Sequence, residues 1–192
     1  MSIFNAYLTA LKRSPLLTIS VTGGVLFAIG DTVNQSYHHE KKYDAKGAAI
    51  FTGFGALLYS PTNHYWFGWM EKNIAGGVNW SRKPMAQALA RVVFHSCSYA
   101  PFSIVSLFLW TGFFSGQSMD SILEIIAPDA MAQIWLIGSI FWIPTMAGIY
   151  RFVPLHLRVL ATSLANVFWT TYLSFKKTES LETGGTRNRN II

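Results

Sequence analysis

Five stretches of this 192-residue chain contain no Asp, Glu, Lys or Arg: residues 14–30, 47–70, 92–119, 130–150 and 159–175. They are 17, 24, 28, 21 and 17 residues long. A helix that crosses a bilayer needs about 20 mostly apolar residues, within a range of about 17–25. The pattern predicts four spans and a shorter fifth. The first reaches full length only if it carries Asp31 near its end. Runs such as PFSIVSLFLWTGFF have no polar face for water, which suits a helix surrounded by lipid. Period-two alternation is absent, so helices are expected rather than a barrel.

Composition agrees. Charged residues make up only 12% of the chain, about half the share expected of a soluble domain. Too few charges are present to coat a soluble surface, which excludes a soluble enzyme and a disordered tail protein. A single cysteine, Cys97, excludes a disulfide scaffold and says nothing of redox compartment. The expected fold is all-α: an integral membrane bundle of four to five transmembrane helices, with kinks at Pro61, Pro101 and Pro144. One membrane domain is expected over 1–177, with a flexible polar tail over 178–192.

An N-terminal amphipathic helix is expected as well. Phe4, Tyr7, Leu8 and Leu11 share one helical face, and Lys12 and Arg13 follow, as in a short helix lying on a membrane. Aromatic residues near span ends, among them Tyr65, Trp66, Trp69, Trp169 and Tyr172, fit an interfacial belt. Small residues recur at Ser20, Gly24 and Ala28, and at Ala49 and Gly53, where helices can approach closely. With five spans, eight basic residues fall on one side and seven on the other, so loop charge sets no orientation. The third loop, SGQSMDSILEIIAPD, carries acids only.

Polar groups at membrane depth are costly and mark bundle interiors or water-filled paths. Asp31 and Gln35 are helical neighbours at i, i+4, as are Arg91 and His95; His64 and Asn166 stand inside charge-free stretches. Asp31, Gln35, His64, Arg91 and His95 are the candidate pore-lining or intramembrane polar residues, with an Asp31–Arg91 pair as one way to offset two charges. Their alternative role is interhelical bonding that fixes packing. No HExxH, GxSxG or P-loop string occurs, so no enzyme, cofactor or metal site is expected. His38, His39 and Glu40 adjoin one another, but in a polar loop.

Ordered strings resemble a known family. Tyr7-Leu8, Leu11, Pro15-x-x-Thr18 and Gly30-Asp31-x-x-x-Gln35 are similar to the N-terminal signature of the twenty-two-kilodalton peroxisomal membrane protein family, also called the Mpv-seventeen family. The likeness continues with Asp44, Pro61-x-x-His64-x-Trp66-Phe67 and Pro101, then Val153-Pro154-x-x-x-Arg158 and Trp169-x-x-Tyr172-Leu173-Ser174. It implies a small helical protein of the mitochondrial inner membrane, or alternatively the peroxisomal membrane. It also implies a small-solute or ion channel with a role in metabolite and redox homeostasis. The alternative is a structural, organising membrane protein that self-associates and recruits partners without conducting. The chain looks divergent: His95-Ser96 stands where many members have Asp-Gln, and Ile149-Tyr150 where they commonly carry Asn-Phe. Expected partners are the lipid bilayer, small metabolites or ions, and a second copy of the chain in a homo-oligomer. Nucleic acid is not among them, because no basic stripe with interleaved aromatics occurs.

Overall fold

The computed structural model describes residues 3–36, 43–74 and 83–172. The polar tail expected over 178–192 and the His38–Glu40 group lie outside them. Among the described residues every regular element is helical. In chain order these are α1 (Ile3–Arg13), α2 (Pro15–Ser36), α3 (Ala45–Gly53), a π-helical segment (Phe54–Tyr59), α4 (Ser60–Asn73), α5 (Pro84–Ser115), α6 (Met119–Ile125) and α7 (Pro128–Phe152). A 3-10 turn, Leu155–Leu157, leads into α8, which occupies 158–172.

Among the described residues three helices are long and apolar enough to cross a membrane: Pro15–Ser36, Pro84–Ser115 and Met131–Phe152. Their apolar side chains mostly face outward. Only 11% of the α7 window is buried inside the bundle, and Ile140 on it is 80% exposed. An apolar helix that the protein itself does not cover needs lipid around it. The chain is therefore an integral membrane protein.

The stretch from Ala45 to Asn73 is one unbroken rod of three parts. The π segment has a cause in sequence. Pro61 has no N–H, so the carbonyl four residues earlier, on Leu57, loses its α-helical donor. Widening the turn by one residue re-pairs carbonyls with donors five residues on, as in the Ser60 N–H bond to the Gly55 carbonyl. Thr62 Oγ1 donates to the Leu58 carbonyl at 2.7 Å, and Asn63 Nδ2 to that of Tyr59 at 3.0 Å. Pro61 was expected to kink or interrupt its helix; the helix continues through it, with a π-helical turn immediately before it. Pro101 and Pro144 lie inside α5 and α7, which continue as helix through both.

α2 packs along this rod. A Cβ on Gly55 would stand 2.5 Å from the Phe27 ring, and one on Gly23 would collide with the Ser60 hydroxyl, so two glycines set the separation. α5 pairs with α7, and α8 fills the space beside α2 and α7, where Trp169 stacks on Phe141 at 5.0 Å. The third loop holds more structure than its acids suggested. Gly116, in the left-handed region at φ 80°, ends α5, and α6 turns Ile122 back into the protein. Ser118 caps α6 by accepting from the Ser121 N–H at 3.3 Å.

One end of the bundle holds the packed core: Leu11, Ile19, Phe67, Met70, Ala88, Val92, Met146, Ile149, Tyr150 and Val159. α1 joins it through Leu11, with Tyr7 and Leu8 half-buried, while Phe4 from the same expected face is exposed.

Candidate functional site

Beyond that core each long segment turns a second set of side chains inward, and these enclose a cavity of about 440 Å³. α2 contributes Phe27; the rod contributes Phe51, Phe54, Tyr59 and Asn63. On α5 the lining residues His95, Tyr99 and Ser103 recur every fourth position, as Thr162, Asn166 and Thr170 do on α8. α7 supplies Trp135, Gly138, Trp142 and Met146. Spacings of three and four keep one helical face toward the cavity. The walls are largely aromatic and aliphatic, and no lining residue carries a formal charge when the imidazole is neutral.

His95 closes the inner end. Trp66 Nε1–H donates to His95 Nδ1 at 3.0 Å, and the Tyr150 hydroxyl lies 3.1 Å from the same nitrogen. An indole N–H only donates, so Nδ1 is the acceptor and the imidazole proton sits on Nε2. Phe67 stacks on the ring, with planes 8° apart. The Trp135 indole ties α7 to α5 by donating to the Ser96 carbonyl at 2.8 Å. Most hydroxyls at the cavity are spent on their own helices. Ser103, Ser139 and Thr170 each donate to a carbonyl three or four residues earlier. Asn166 differs: among the described residues its carboxamide has no hydrogen-bond partner.

Past the core, at the bundle's end, one carboxylate holds two guanidinium groups. Glu71 Oε2 accepts from Arg158 Nη1 at 2.6 Å and pairs with Arg91 Nη1 at 3.0 Å. Arg91 Nε also donates to the Ile74 carbonyl at 3.1 Å, satisfying the frayed end of α4, and Arg158 Nε donates to that of Val153 after α7. The Arg158 guanidinium lies over the Tyr150 ring at 5.3 Å. Arg91 and Arg158 are 2% and 5% exposed, whereas Glu71 is half-exposed.

Of the five residues singled out in sequence, His95 borders the cavity; Asp31, Gln35, His64 and Arg91 are placed elsewhere. The Asp31–Arg91 pair does not form, because Arg91 pairs with Glu71. Asp31 instead accepts from Gln35 Nε2 at 2.7 Å, and Gln35 Oε1 accepts from the Asp44 N–H at 2.7 Å. Asp44 caps α3 by accepting from the Gly47 N–H. The three residues clamp α2 to the start of the rod. His64 packs edge-on against Tyr65. Sequence reasoning overlooked Glu71 and the role of Arg158. A signal was present: Glu71, Arg91 and Arg158 each abut a charge-free stretch, and alternating spans bring those three boundaries to one side.

Known proteins bear on this geometry. The Mpv17 / PMP22 family model matches residues 112–174, which hold α6, α7 and α8. Protein SYM1 of Saccharomyces cerevisiae is 28% identical over 190 residues, covering 95% of this chain and 93% of the yeast protein. These matches agree with the likeness to the Mpv17/PMP22 family that the sequence strings carry. The mitochondrial inner membrane protein Mpv17 of Caenorhabditis briggsae is 27% identical, with 95% of this chain and 97% of the relative covered. PXMP2/4 family protein 1 of Dictyostelium discoideum is 28% identical, with 90% and 83% covered. No solved structure matches the chain.

Proposed function

We propose that this chain is a pore-forming protein for small solutes in an organelle membrane, and that the cavity is the widest part of its path. The cavity itself carries the reading: about 440 Å³ in the middle of a membrane bundle, bordered by every long helix and by polar groups on four of them. A cavity that is roomy and polar in places accepts water or solute. In this reading five segments cross the bilayer: α2, the rod from α3 to α4, α5, α7 and α8. α1 then lies along the surface at the arginine end. The described conformation is closed on that side, where His95, Tyr150, Phe67 and Met146 fill the axis. Conduction requires that layer to part. The mitochondrial inner membrane is the proposed location, supported by the name of the nematode relative. The protein acts as a conduit and performs no catalysis.

The test is single-channel recording of the purified chain in planar bilayers. Discrete openings are expected, with conductance reduced by Ser103→Phe, which narrows the cavity, and unchanged by Asp31→Asn at the loop clamp. Silence with insertion verified overturns the pore. The organising role would then hold, and self-association would be the next measurement.

A further inference from the structure

We propose that the cavity takes an uncharged amphiphile, a molecule with an apolar body and a hydroxyl, carbonyl or amide head, and that Asn166 and His95 hold the head. The proposal rests on the reading of this cavity as a solute site and names what the site accepts.

Three observations carry it. The cavity walls are aromatic and aliphatic, from Phe27, Phe54 and Trp142 among others, and they match a hydrocarbon or ring. No formal charge faces the cavity, so a carboxylate or phosphate entering it would lose its hydration with no cation to replace it. Finally, two polar groups at the cavity have hydrogen-bonding capacity left over. The Asn166 carboxamide has no partner among the described residues, and it can both donate and accept. The Nδ1 atom of His95 is engaged by Trp66 and Tyr150, which leaves Nε2–H as a donor, with no acceptor for it among the described residues. A neutral head that accepts and donates once matches this pair. The nearby hydroxyls, occupied with their own helix carbonyls, compete little.

The experiment uses indoles already in the wall: Trp135, Trp142 and Trp169. Full-length protein in phosphatidylcholine nanodiscs is titrated with a terminally brominated undecanol, whose bromine quenches tryptophan on contact. Brominated undecanoate serves as the charged counterpart. Saturable quenching by the alcohol, reversed by plain undecanol, is expected; the carboxylate should quench only in proportion to its concentration in the bilayer. Asn166→Leu should weaken the saturable phase about tenfold, because a polar site rejects a ligand strongly once one hydrogen-bonding partner is missing. Gly138→Leu should abolish it by filling the cavity; a Cβ there meets nothing closer than Trp142 at 3.7 Å, so the variant is expected to fold. Purely linear quenching by the alcohol, equal or tighter saturation by the carboxylate, or an unchanged affinity in Asn166→Leu would each overturn the proposal. The readout needs no current. Saturable quenching with a silent bilayer removes the pore and keeps the site; conduction without saturable quenching does the reverse.

Discussion

The two halves of the bundle use the same helices in opposite ways. Toward the arginine end, Ile19 of α2, Phe67 and Met70 of α4, Val92 of α5 and Ile149 of α7 meet in a filled core. Further along those helices, Phe27, Asn63, Tyr99 and Gly138 surround empty space. Residues at the filled end are sealed by a charged cluster, with each guanidinium group paired to Glu71 and bonded through Nε to a backbone carbonyl. At the other end the polar clamp of Asp31, Gln35 and Asp44 is part-exposed and joins only neighbouring segments. Close packing is thus concentrated in one half and open space in the other. The division follows the demands on a membrane cavity, which needs rigid walls but cannot itself supply packing.

Substitutions can break this contrast or sharpen it. The largest effect is expected from Phe67→Ala, a fully buried ring in the filled half, at about 3–5 kcal/mol of lost stability. A thermal denaturation midpoint in detergent that barely moves would show the core to be no firmer than the cavity. Glu71→Gln strands two buried guanidinium groups and should cost about 3 kcal/mol, near the low end for a broken buried pair because the carboxylate is half-exposed. The same melting experiment reads it, and restoration by Glu71→Asp would tie the loss to charge. Asp31→Asn keeps an acceptor for Gln35 and should cost less than about 1 kcal/mol. A loss as large as that of Glu71→Gln would make the two ends equivalent. Gly138→Leu in the hollow half should change stability by no more than about 0.5 kcal/mol, since a Cβ there meets nothing closer than Trp142 at 3.7 Å and Gly138 borders the cavity.

The helices were legible because each charge-free stretch reports on lipid contact one segment at a time. The 47–70 stretch foretold the rod, and 92–119 foretold α5. The π segment was not foreseen, although its cause, Pro61, stood in plain view; Thr62 and Asn63 occupy the Leu58 and Tyr59 carbonyls beside it, which a hydropathy window does not show. α6 was read as loop because its acids masked the one inward residue, Ile122. The candidate site was legible in part. His95 and Asn166 were visible as polar residues at depth, yet i, i+4 spacing reveals only partners on the same helix. An Asp31–Arg91 pair is one arrangement the spacing allows, whereas the partner of Arg91, Glu71, sits at the near boundary of the preceding stretch. Pairing across helices depends on which ends meet. That is a property of the whole topology, and a local window does not contain it.

The shared carboxylate has an electrical consequence. Glu71, Arg91 and Arg158 together carry one net positive charge, while Asp31 and Asp44 carry negative charge at the opposite end of the rod. About 40 Å of helix separates Asp44 from Glu71, at 1.5 Å per residue. The folded bundle therefore carries a fixed charge separation between these two ends, even though the basic residues alone divide almost evenly between the two sides. A membrane potential acts on such a dipole, with about 2.3 kcal/mol per charge per 100 mV for a full crossing. In the five-span arrangement proposed above, the two orientations therefore differ in energy across an energised membrane, a difference that the count of basic residues does not supply.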